Sequence, residues 1–231
     1  IYLVLLNVAV SVLTGILLSA LLGFILASIG FNVMHDACHG SYSSKKWVNT
    51  LLGYSLNALG GNSFIWKFKH NIIHHTYTNV DGVDDDIEVG ILMRMAPTQK
   101  FYQVHKFQHV YFWILYMLLY VFWIFFADYK QYYSRKLGSV PLKKMSLSDH
   151  IEFWAVKVYH AAVFIVIPIA IVGWVNWVIG FVIMTFFAGF VLSIVFQLAH
   201  IVPMAEMPLP DKEGNLEHTW AVHQLYTTAN F

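Results

Sequence analysis

The sequence predicts an all-α integral membrane protein with about four transmembrane helices, interfacial helices and a histidine-rich cap on the cytoplasmic side. Of the 231 residues, 58% are hydrophobic and 12% are charged, whereas an ordinary soluble domain carries about 25% charged residues. Residues 1–35 contain no charged side chain and are long enough to cross a bilayer core of about 30 Å. The histidines cluster beside the ends of apolar segments.

The apolar segments predict the individual spans. Residues 1–14 are expected to end one span and residues 15–34 to form the next, because 35 residues at about 1.5 Å each are too long for one unbroken crossing. The positions suited to the turn between them are Asn7, Ser11, Thr14 and Gly15. Residues 151–172 and 174–199 predict a helical hairpin, joined by the short GWVNW turn.

The charge distribution orients these spans. Basic residues are enriched in cytoplasmic loops near span ends, and residues 40–106 and 128–157 are both basic. A single crossing by the aromatic segment 107–127 would put one basic region outside. We therefore expect this segment to lie at the interface or to re-enter, as its nine aromatics within 111–126 suggest. The alternative is a true span that departs from the charge rule.

Cysteine content, net charge and the chain ends limit the possible disulfides, partners and domain extent. The single cysteine, Cys38, excludes an internal disulfide framework. A net charge of +1 gives no indication of nucleic-acid binding. The chain begins mid-pattern at Ile1 and stops at Phe231 inside a segment that looks continuous. We therefore expect a single domain over residues 1–231, truncated at both ends.

The first histidine pair lies in the motif HDACH. His35 and His39 are four residues apart, which places both imidazoles on one helical face within reach of one metal ion. A zinc peptidase would need glutamate after the first histidine, but that residue is Asp36. A carboxylate there suits orientation of a ligand imidazole through its other nitrogen. The alternative is a pair of interfacial histidines hydrated by water.

The second group lies in HNIIHH. His70 and His74 share a helical face, and His75 is expected to point about 100° away. Two adjacent faces can reach two metals, so the spacing favours a metal cluster over chance placement. His200 closes an otherwise apolar helix, in FQLAH. It is a candidate ligand because polar groups in membrane segments are usually functional, although a solvated interfacial histidine is the alternative.

Other polar groups have less definite interpretations. The acidic cluster Asp84, Asp85 and Asp86 follows the second histidine group, and fits either a solvated turn or a set of carboxylates that supports the histidines or faces an electron donor. The role of His223 is open. The isolated histidines are interpreted as interfacial or structural: His105, His109, His150 and His160.

Four stretches together resemble the membrane fatty acid desaturases, in the acyl-lipid or acyl-CoA group that includes delta-6, linoleoyl-type enzymes. They are NVMHDACHGSYS, HNIIHHTYTNVDGVDDDI, FQLAHIVPMAE and HTWAVHQLYTTANF. The resemblance implies a cytoplasmic centre of two non-haem irons, held by histidines from three boxes and one extra histidine. The ligands it implies here, which are also the catalytic residues, are His35, His39, His70, His74, His75 and His200. The third box, of the type QxxHH, is expected beyond residue 231.

The same resemblance implies an O₂-dependent oxidoreductase that introduces a double bond into a fatty acyl chain and reduces O₂ to water. The implied partners are a fatty acyl substrate, the lipid bilayer, and an electron donor of the ferredoxin or cytochrome b5 type. The chemistry is consistent with this, because oxidising an unactivated alkyl chain requires a cofactor. Soluble di-iron bundles use mainly carboxylates, whereas this chain offers histidines.

Two other functions remain open at this point. One is a related membrane di-iron hydroxylase or ketolase that acts on another lipid. The other is a membrane haem or metal-transport protein, which is disfavoured because the histidines cluster at span ends rather than within facing spans.

Overall fold

The computed structural model describes residues 1–229, and its regular structure is almost entirely helical. The α-helices are α1 (Tyr2–Asn7), α2 (Val12–Ile29), α3 (Asp36–His39), α4 (Lys46–Gly53), α5 (Ser55–Ala58), α6 (Ser63–Lys67), α7 (Gln108–Met117), α8 (Leu119–Phe122), α9 (Asp128–Ser134), α10 (Leu147–Ala161), α11 (Ile167–Val172), α12 (Trp174–His200) and α13 (Trp220–Thr227). One short antiparallel hairpin, β1 (Lys136–Leu137) with β2 (Val140–Pro141), was not expected from the sequence.

Several helices contain turns that are wound differently from an α-helix. The π-helical segments are Gly30–His35, Phe68–His74, Trp123–Ala127 and Ala162–Val166, and the 3₁₀ turns are Gly90–Leu92 and Gln103–Phe107. A π-helix bonds residue i to i+5 and is found frequently at functional sites. Two of these segments end at histidines of the HDACH and HNIIHH motifs, His35 and His74.

Within residues 1–229, three helices are long and apolar enough to cross a membrane: Val12–His39, Leu147–Val172 and Trp174–His200. Each of the first two contains a π-helical segment. The predicted hairpin is confirmed as two helices, but its turn is shorter than GWVNW, because α12 already begins at Trp174. Gly173 alone makes the turn, with a φ of +79°.

The N-terminal segments differ from the expectation in their boundary. The helix α1 has six residues, and α2 starts at Val12 rather than at residue 15. Ser11 begins α2 because its hydroxyl accepts a hydrogen bond from the Thr14 amide at 3.2 Å, which satisfies one of the free amides at a helix start. Of the four suggested turn positions, Ser11 therefore marks the junction.

The aromatic segment 107–127 is part of a bent pair of helices. Gln103–Met117 and Leu119–Ser134 meet at 61°, and together they are long and apolar enough to form a broken span or a re-entrant loop. The described part of the chain thus has three candidate spans, or four if the bent pair is one span. That residues 107–127 do not cross the bilayer remains a prediction.

The chain divides into two compact units. The first comprises residues 1–64, 116–129 and 144–193. A cluster of buried residues joins its helices α2, α8 and α12: Ala27, Tyr120, Ile124, Ala188 and Leu192. At Gly23 a Cβ atom would lie 2.2 Å from the carbonyl oxygen of Met184, so only glycine allows α2 and α12 to approach this closely.

A buried ion pair ties α10 to two other segments of the first unit. Lys157 Nζ lies 2.6 Å from Asp128 Oδ2 and also donates to the Gly60 carbonyl at 2.9 Å. Asp128 accepts further hydrogen bonds from the Asn62 amide at 3.1 Å and the Trp123 indole at 3.0 Å. Because both charges are buried and fully bonded, they can exist inside an apolar helix bundle.

The second unit comprises residues 65–115, 130–143 and 194–231, of which the last two residues, Asn230 and Phe231 of the HTWAVHQLYTTANF stretch, lie outside the described chain. Its long connection, residues 76–102, is organised by side-chain hydrogen bonds. Gln99 Oε1 accepts from the Met95 amide at 2.8 Å, and its Nε2 donates to the Ile87 carbonyl at 3.1 Å. These bonds replace a regular ladder for buried backbone groups.

We expect Lys157→Met to destabilise the protein strongly. The substitution leaves Asp128 as a buried carboxylate without its cation, which typically costs about 3–5 kcal/mol. The measurement is thermal unfolding of the purified protein in detergent, with the exposed Lys144→Met as the matched control. Equal melting temperatures for the two variants would show that the ion pair does not stabilise the fold.

We expect residues 100 and 143 to lie on the same side of the bilayer. The bent helix pair between them begins and ends beside basic residues, which favours a segment that does not cross. Single cysteines at Lys100 and Lys143, both exposed, should both resist an impermeant thiol reagent in intact cells and react after permeabilisation. Opposite accessibility would establish a true crossing.

Candidate metal centre

The first unit holds His35 and His39 at the end of its first long helix. The π-helical segment Gly30–His35 passes directly into α3, which ends at Gly40. The two imidazole rings have centroids 4.5 Å apart, so the HDACH spacing does place them on one face. Asp36 Oδ1 lies 3.2 Å from His35 Nδ1, the contact expected of a carboxylate that orients this ring.

The second unit brings together His70, His74 and His75. Their ring centroids are separated by 5.2 Å for His70 and His74, 4.7 Å for His70 and His75, and 5.3 Å for His74 and His75. His70 and His74 are almost completely buried, at 3% and 2% exposure. All three histidines of the HNIIHH motif therefore meet at one place.

The position of His75 differs from the expected 100° offset, and the cause is the local winding. The segment Phe68–His74 is π-helical, so a residue five positions along returns to the same face. The Nε2 atoms of His70 and His75 are consequently 3.2 Å apart. Two nitrogens each about 2.1 Å from one ion are separated by roughly 3.0–3.4 Å, so this pair has the spacing of two ligands of one metal.

Carboxylates of the acidic cluster contact the other nitrogens of these rings. His74 Nδ1 donates to Asp84 Oδ2 at 2.9 Å. Asp86 Oδ2 lies 3.4 Å from His74 Nδ1 and 3.8 Å from His70 Nδ1. The sequence left the role of residues 84–86 open between a solvated turn and support of the histidines. Asp84 is completely buried, so the structure favours support of the histidines.

A lysine offsets part of the negative charge of this carboxylate cluster. Lys69 Nζ lies 2.6 Å from Asp86 Oδ1 and 3.7 Å from Asp85 Oδ2. Although burial opposes its charge, the charges of Asp86 and Asp85 raise the pKa of Lys69. The pKa of Asp86 is lowered. Burial by itself would raise it, but the charge of Lys69 and the contact with His70 hold this pKa well below the usual range.

The electrostatics of the two central histidines differ. Burial lowers the pKa of His70 to about 3, so this ring is neutral near pH 7, the form that binds metals. Burial also lowers the pKa of His74, but the hydrogen bond to Asp84 and the charges of Asp86 and Asp84 outweigh this effect and raise the pKa. The same carboxylates favour a cation bound at Nε2, because either a proton or a metal places positive charge on the ring.

His200 joins the second group through the end of α12. Its ring packs edge-on against His74, with centroids 4.5 Å apart. Asn79 holds this helix end, because its side-chain amide donates to the His200 carbonyl at 2.8 Å and to the Thr227 carbonyl at 3.0 Å. Asn79 has a φ of +59°, a conformation that asparagine tolerates better than most residues. Sequence reasoning did not identify it.

Aromatic side chains enclose this group on the side of His70. Trp66 stacks on the His70 ring at a centroid distance of 4.5 Å and an interplanar angle of 23°. Phe196 meets the same ring edge-on at 5.6 Å. Trp66 precedes His70 by four residues, so helical spacing is the signal that could have identified it.

The remaining histidines take varied positions. His223 is 3% exposed on α13, whose Trp220 and Gln224 side chains both donate to the His75 carbonyl, at 3.0 and 3.2 Å. Burial lowers the pKa of His223. His160 is buried against Tyr120 and Phe164, in agreement with a structural role, whereas His109 is exposed.

The donor set fits a metal ion. His74 Nε2 and His200 Nδ1 are buried, and within residues 1–229 neither has a hydrogen-bond partner. An unpaired buried nitrogen is costly, and coordination would satisfy both atoms. A ligand atom from each of His70, His74 and Asp86 also lies within 4.8 Å of the others. Imidazoles with adjoining carboxylates suit zinc, copper, iron or nickel.

The family model for fatty acid desaturases matches residues 11–231. This match includes both histidine motifs, His200 and α13. The chain belongs to the fatty acid desaturase family. The resemblance seen in the histidine motifs is thereby confirmed.

Curated desaturases are similar over most of the chain. An sn-1 linoleoyl-lipid 6-desaturase of Arthrospira platensis is 37% identical over 91% of the chain and 57% of its own length. A protein of the same description from Synechocystis is 35% identical over 91% of the chain and 59% of its own length. An acyl-lipid (8-3)-desaturase of Physcomitrium patens is 32% identical over 96% of the chain and 47% of its own length.

The chain therefore spans about half to three-fifths of the length of these curated relatives. No solved structure matches the chain.

We expect Asp84→Ala to lower the metal affinity of the second histidine group by about 10–100-fold, the usual effect of removing a group that orients a ligand. Asp84 both accepts from His74 Nδ1 and bonds the amides of Asn79 and Asp86. Metal content after dialysis against a graded chelator measures the change. Asp81→Ala, in the same acidic run but bonded to Thr98 and Gln99, is the control. Equal metal retention in both variants would contradict this role.

Proposed function

We propose that the protein is an O₂-dependent fatty acyl desaturase that uses two non-haem irons. The observation that carries the proposal is the group of His70, His74, His75 and His200 in a chain of the desaturase family. His70 and His74 are buried, and carboxylates of Asp84 and Asp86 lie beside their Nδ1 atoms. The curated relatives, whose names describe lipid desaturases, support the reaction type.

Six histidines are proposed as ligands of the irons: His35, His39, His70, His74, His75 and His200. Asp36 is proposed to orient His35, as Asp84 orients His74. A carboxylate that accepts the Nδ1 proton fixes the tautomer in which Nε2 carries the lone pair and increases the basicity of the ring. The ligands of the third box are proposed to lie beyond residue 231.

Iron with O₂ would supply the oxidising power that amino acids lack. The chain's own residues provide position and exclude water. His70 stays neutral through burial and is covered by Trp66 and Phe196. Lys69 forms an ion pair with Asp86 and offsets part of the negative charge beside the ligands. A dry, charge-balanced site protects a strong oxidant from side reactions.

The proposed substrate is an acyl chain carried by a membrane lipid, since the relatives are named as linoleoyl-lipid and acyl-lipid desaturases. The three or four helices long and apolar enough to cross a membrane support a location in the bilayer, where such a substrate resides. The active site is proposed to face the cytoplasm, where a ferredoxin or cytochrome b5 type donor would supply electrons. The basic loops of residues 40–106 and 128–157 support this orientation.

The test is expression of the full-length gene in a host that lacks the product, followed by mass spectrometry of its fatty acids. We expect a new unsaturated chain, and a loss of at least about 100-fold for His70→Ala or His74→Ala, because losing a ligand should cost more than losing a supporting group. His109→Ala, at an exposed histidine, should retain activity.

Iron analysis of the same purified variants completes this test. His70→Ala and His74→Ala should contain less iron than His109→Ala at equal protein yield. Full iron content and normal product in either ligand variant would overturn the assignment. A hydroxylated product in place of an unsaturated one would identify a related lipid hydroxylase.

A further inference from the structure

Residues 89–110 of the second unit expose several large apolar side chains, and they lie outside the three long apolar helices. Ile91 is 69% exposed and Phe107 63% exposed, and Leu92, Phe101 and Val104 are each at least 41% exposed. These five side chains and the cations Arg94, Lys100 and Lys106 form what we call the cationic apolar patch. Exposed apolar surface of this kind marks an interaction site rather than an ordinary solvated face.

Hydrogen bonds join the two halves of the patch into one surface. His105 Nε2 donates to the Ile91 carbonyl at 2.8 Å, while its Nδ1 accepts from the Tyr102 amide at 3.2 Å. The Tyr111 hydroxyl donates to the Leu92 carbonyl at 2.6 Å. The exposed side chains therefore project from an organised backbone.

Arg94 is anchored within the same surface. Gln108 bonds both backbone groups of Arg94, accepting from its amide at 2.8 Å and donating to its carbonyl at 3.1 Å. The Arg94 guanidinium donates to the Gln99 carbonyl at 2.8 Å and lies 5.8 Å from the centroid of the Phe101 ring. The cation is thus held beside an exposed aromatic ring.

The charge on the patch is of one sign. Residues 89–127 contain no aspartate or glutamate, and within residues 1–229 the three cations form no ion pair with an acidic side chain. The nearest acidic residue along the chain is Glu88. The more distant Asp81 accepts hydrogen bonds from the side chains of Thr98 and Gln99. Lys100 and Lys106 are exposed, with the Lys100 ammonium 5.1 Å from the centroid of the Tyr102 ring.

We propose that the cationic apolar patch binds anionic phospholipids at the surface of the bilayer. The lysines and Arg94 would contact negative headgroups, while Ile91, Val104 and Phe107 would enter the boundary between headgroups and acyl chains. Aromatic rings beside basic groups are typical of a protein segment at this depth.

A bilayer fits the patch better than a soluble acidic protein does. Gln103 begins the bent pair of helices that is apolar enough to be membrane-embedded, so the patch is continuous with an element suited to lipid. A soluble acidic partner would complement the cations but would leave the branched and aromatic side chains exposed to water, where such side chains are rarely found together.

The test uses the full-length protein in nanodiscs and a fluorophore on a cysteine at Val104. The native Cys38 is buried. Labelling of the protein without the Val104→Cys substitution serves as the control for any reaction of the fluorophore with Cys38. Quenching by a nitroxide on the acyl chain of phosphatidylserine is compared with quenching by the same nitroxide on phosphatidylcholine, at equal mole fractions. We expect both lipids to quench, and the anionic lipid to be preferred.

Matched charge variants separate specific binding from general attraction. Lys100→Gln with Lys106→Gln should reduce the preference for the anionic lipid by up to about 25-fold, since each of the two basic residues near an anionic surface contributes about a fivefold effect. Lys143→Gln with Lys144→Gln, two exposed lysines outside the patch, should retain the preference. High salt should weaken the preference of the parent protein.

Three outcomes would overturn the proposal. Equal quenching by the two lipids would show contact with the bilayer but no recognition of anionic headgroups. Equal loss of preference in both double variants would show that only net charge matters. Absence of quenching by either lipid would place Val104 in water and assign the patch to a soluble partner. None of these measurements depends on desaturase activity.

Discussion

The carboxylate of Asp84 is the contact on which the histidine group of the second unit depends. One of its oxygens accepts from His74 Nδ1 and from the Asn79 amide, and the other accepts from the Asp86 amide. Asn79 in turn bonds the carbonyls of His200 and Thr227. A single buried carboxylate therefore orients one proposed ligand and organises the residue that holds the helix carrying another. A buried charge is tolerated only with such a full set of donors.

The π-helical turn Phe68–His74 is the second condition for this group. In a regular α-helix the side chains of His70 and His75 would point in different directions, and their Nε2 atoms could not approach each other. Wider winding brings their Nε2 atoms to 3.2 Å. A π turn weakens local hydrogen bonding and is retained where its geometry serves a site. The proposed metal would bind across this turn and stabilise it.

The same demand for paired polar groups shapes the first unit. Lys157 and Asp128 are buried within apolar helices and form a hydrogen bond with each other. Four further hydrogen bonds connect the pair to Gly60, Asn62, Trp123 and Ile124. Glu152 similarly accepts from Asn57 and Ser63, both at 2.8 Å. The loop from residue 57 to residue 63 is thus fixed by charges that water would otherwise have to solvate. In contrast, the cations of the patch at residues 89–110 form no ion pair with an acidic side chain within residues 1–229.

The sequence by itself determined the class of the protein and the identity of most proposed ligands. Apolar length and scarce charge suffice to predict helices that can cross a membrane, because the bilayer imposes a minimum length and excludes unpaired charges. Local spacing sufficed to put His35 beside His39, since four residues make about one helical turn. The family resemblance, which depends on short motifs, also held over nearly the whole chain.

Only the tertiary structure decided which groups support those ligands. The roles of Asn79 and Phe196 depend on contacts between residues far apart in the sequence, and no periodicity encodes such contacts. Asp84 reaches His74 through an irregular loop, whose conformation no periodicity encodes either. The winding of Phe68–His74 also departs from the regular helix that sequence patterns assume. The Lys157–Asp128 pair is likewise invisible in composition, because a lysine in an apolar helix is interpretable only when its partner is known. Spacing determines which face a side chain occupies, whereas the packing of distant segments determines what that face meets.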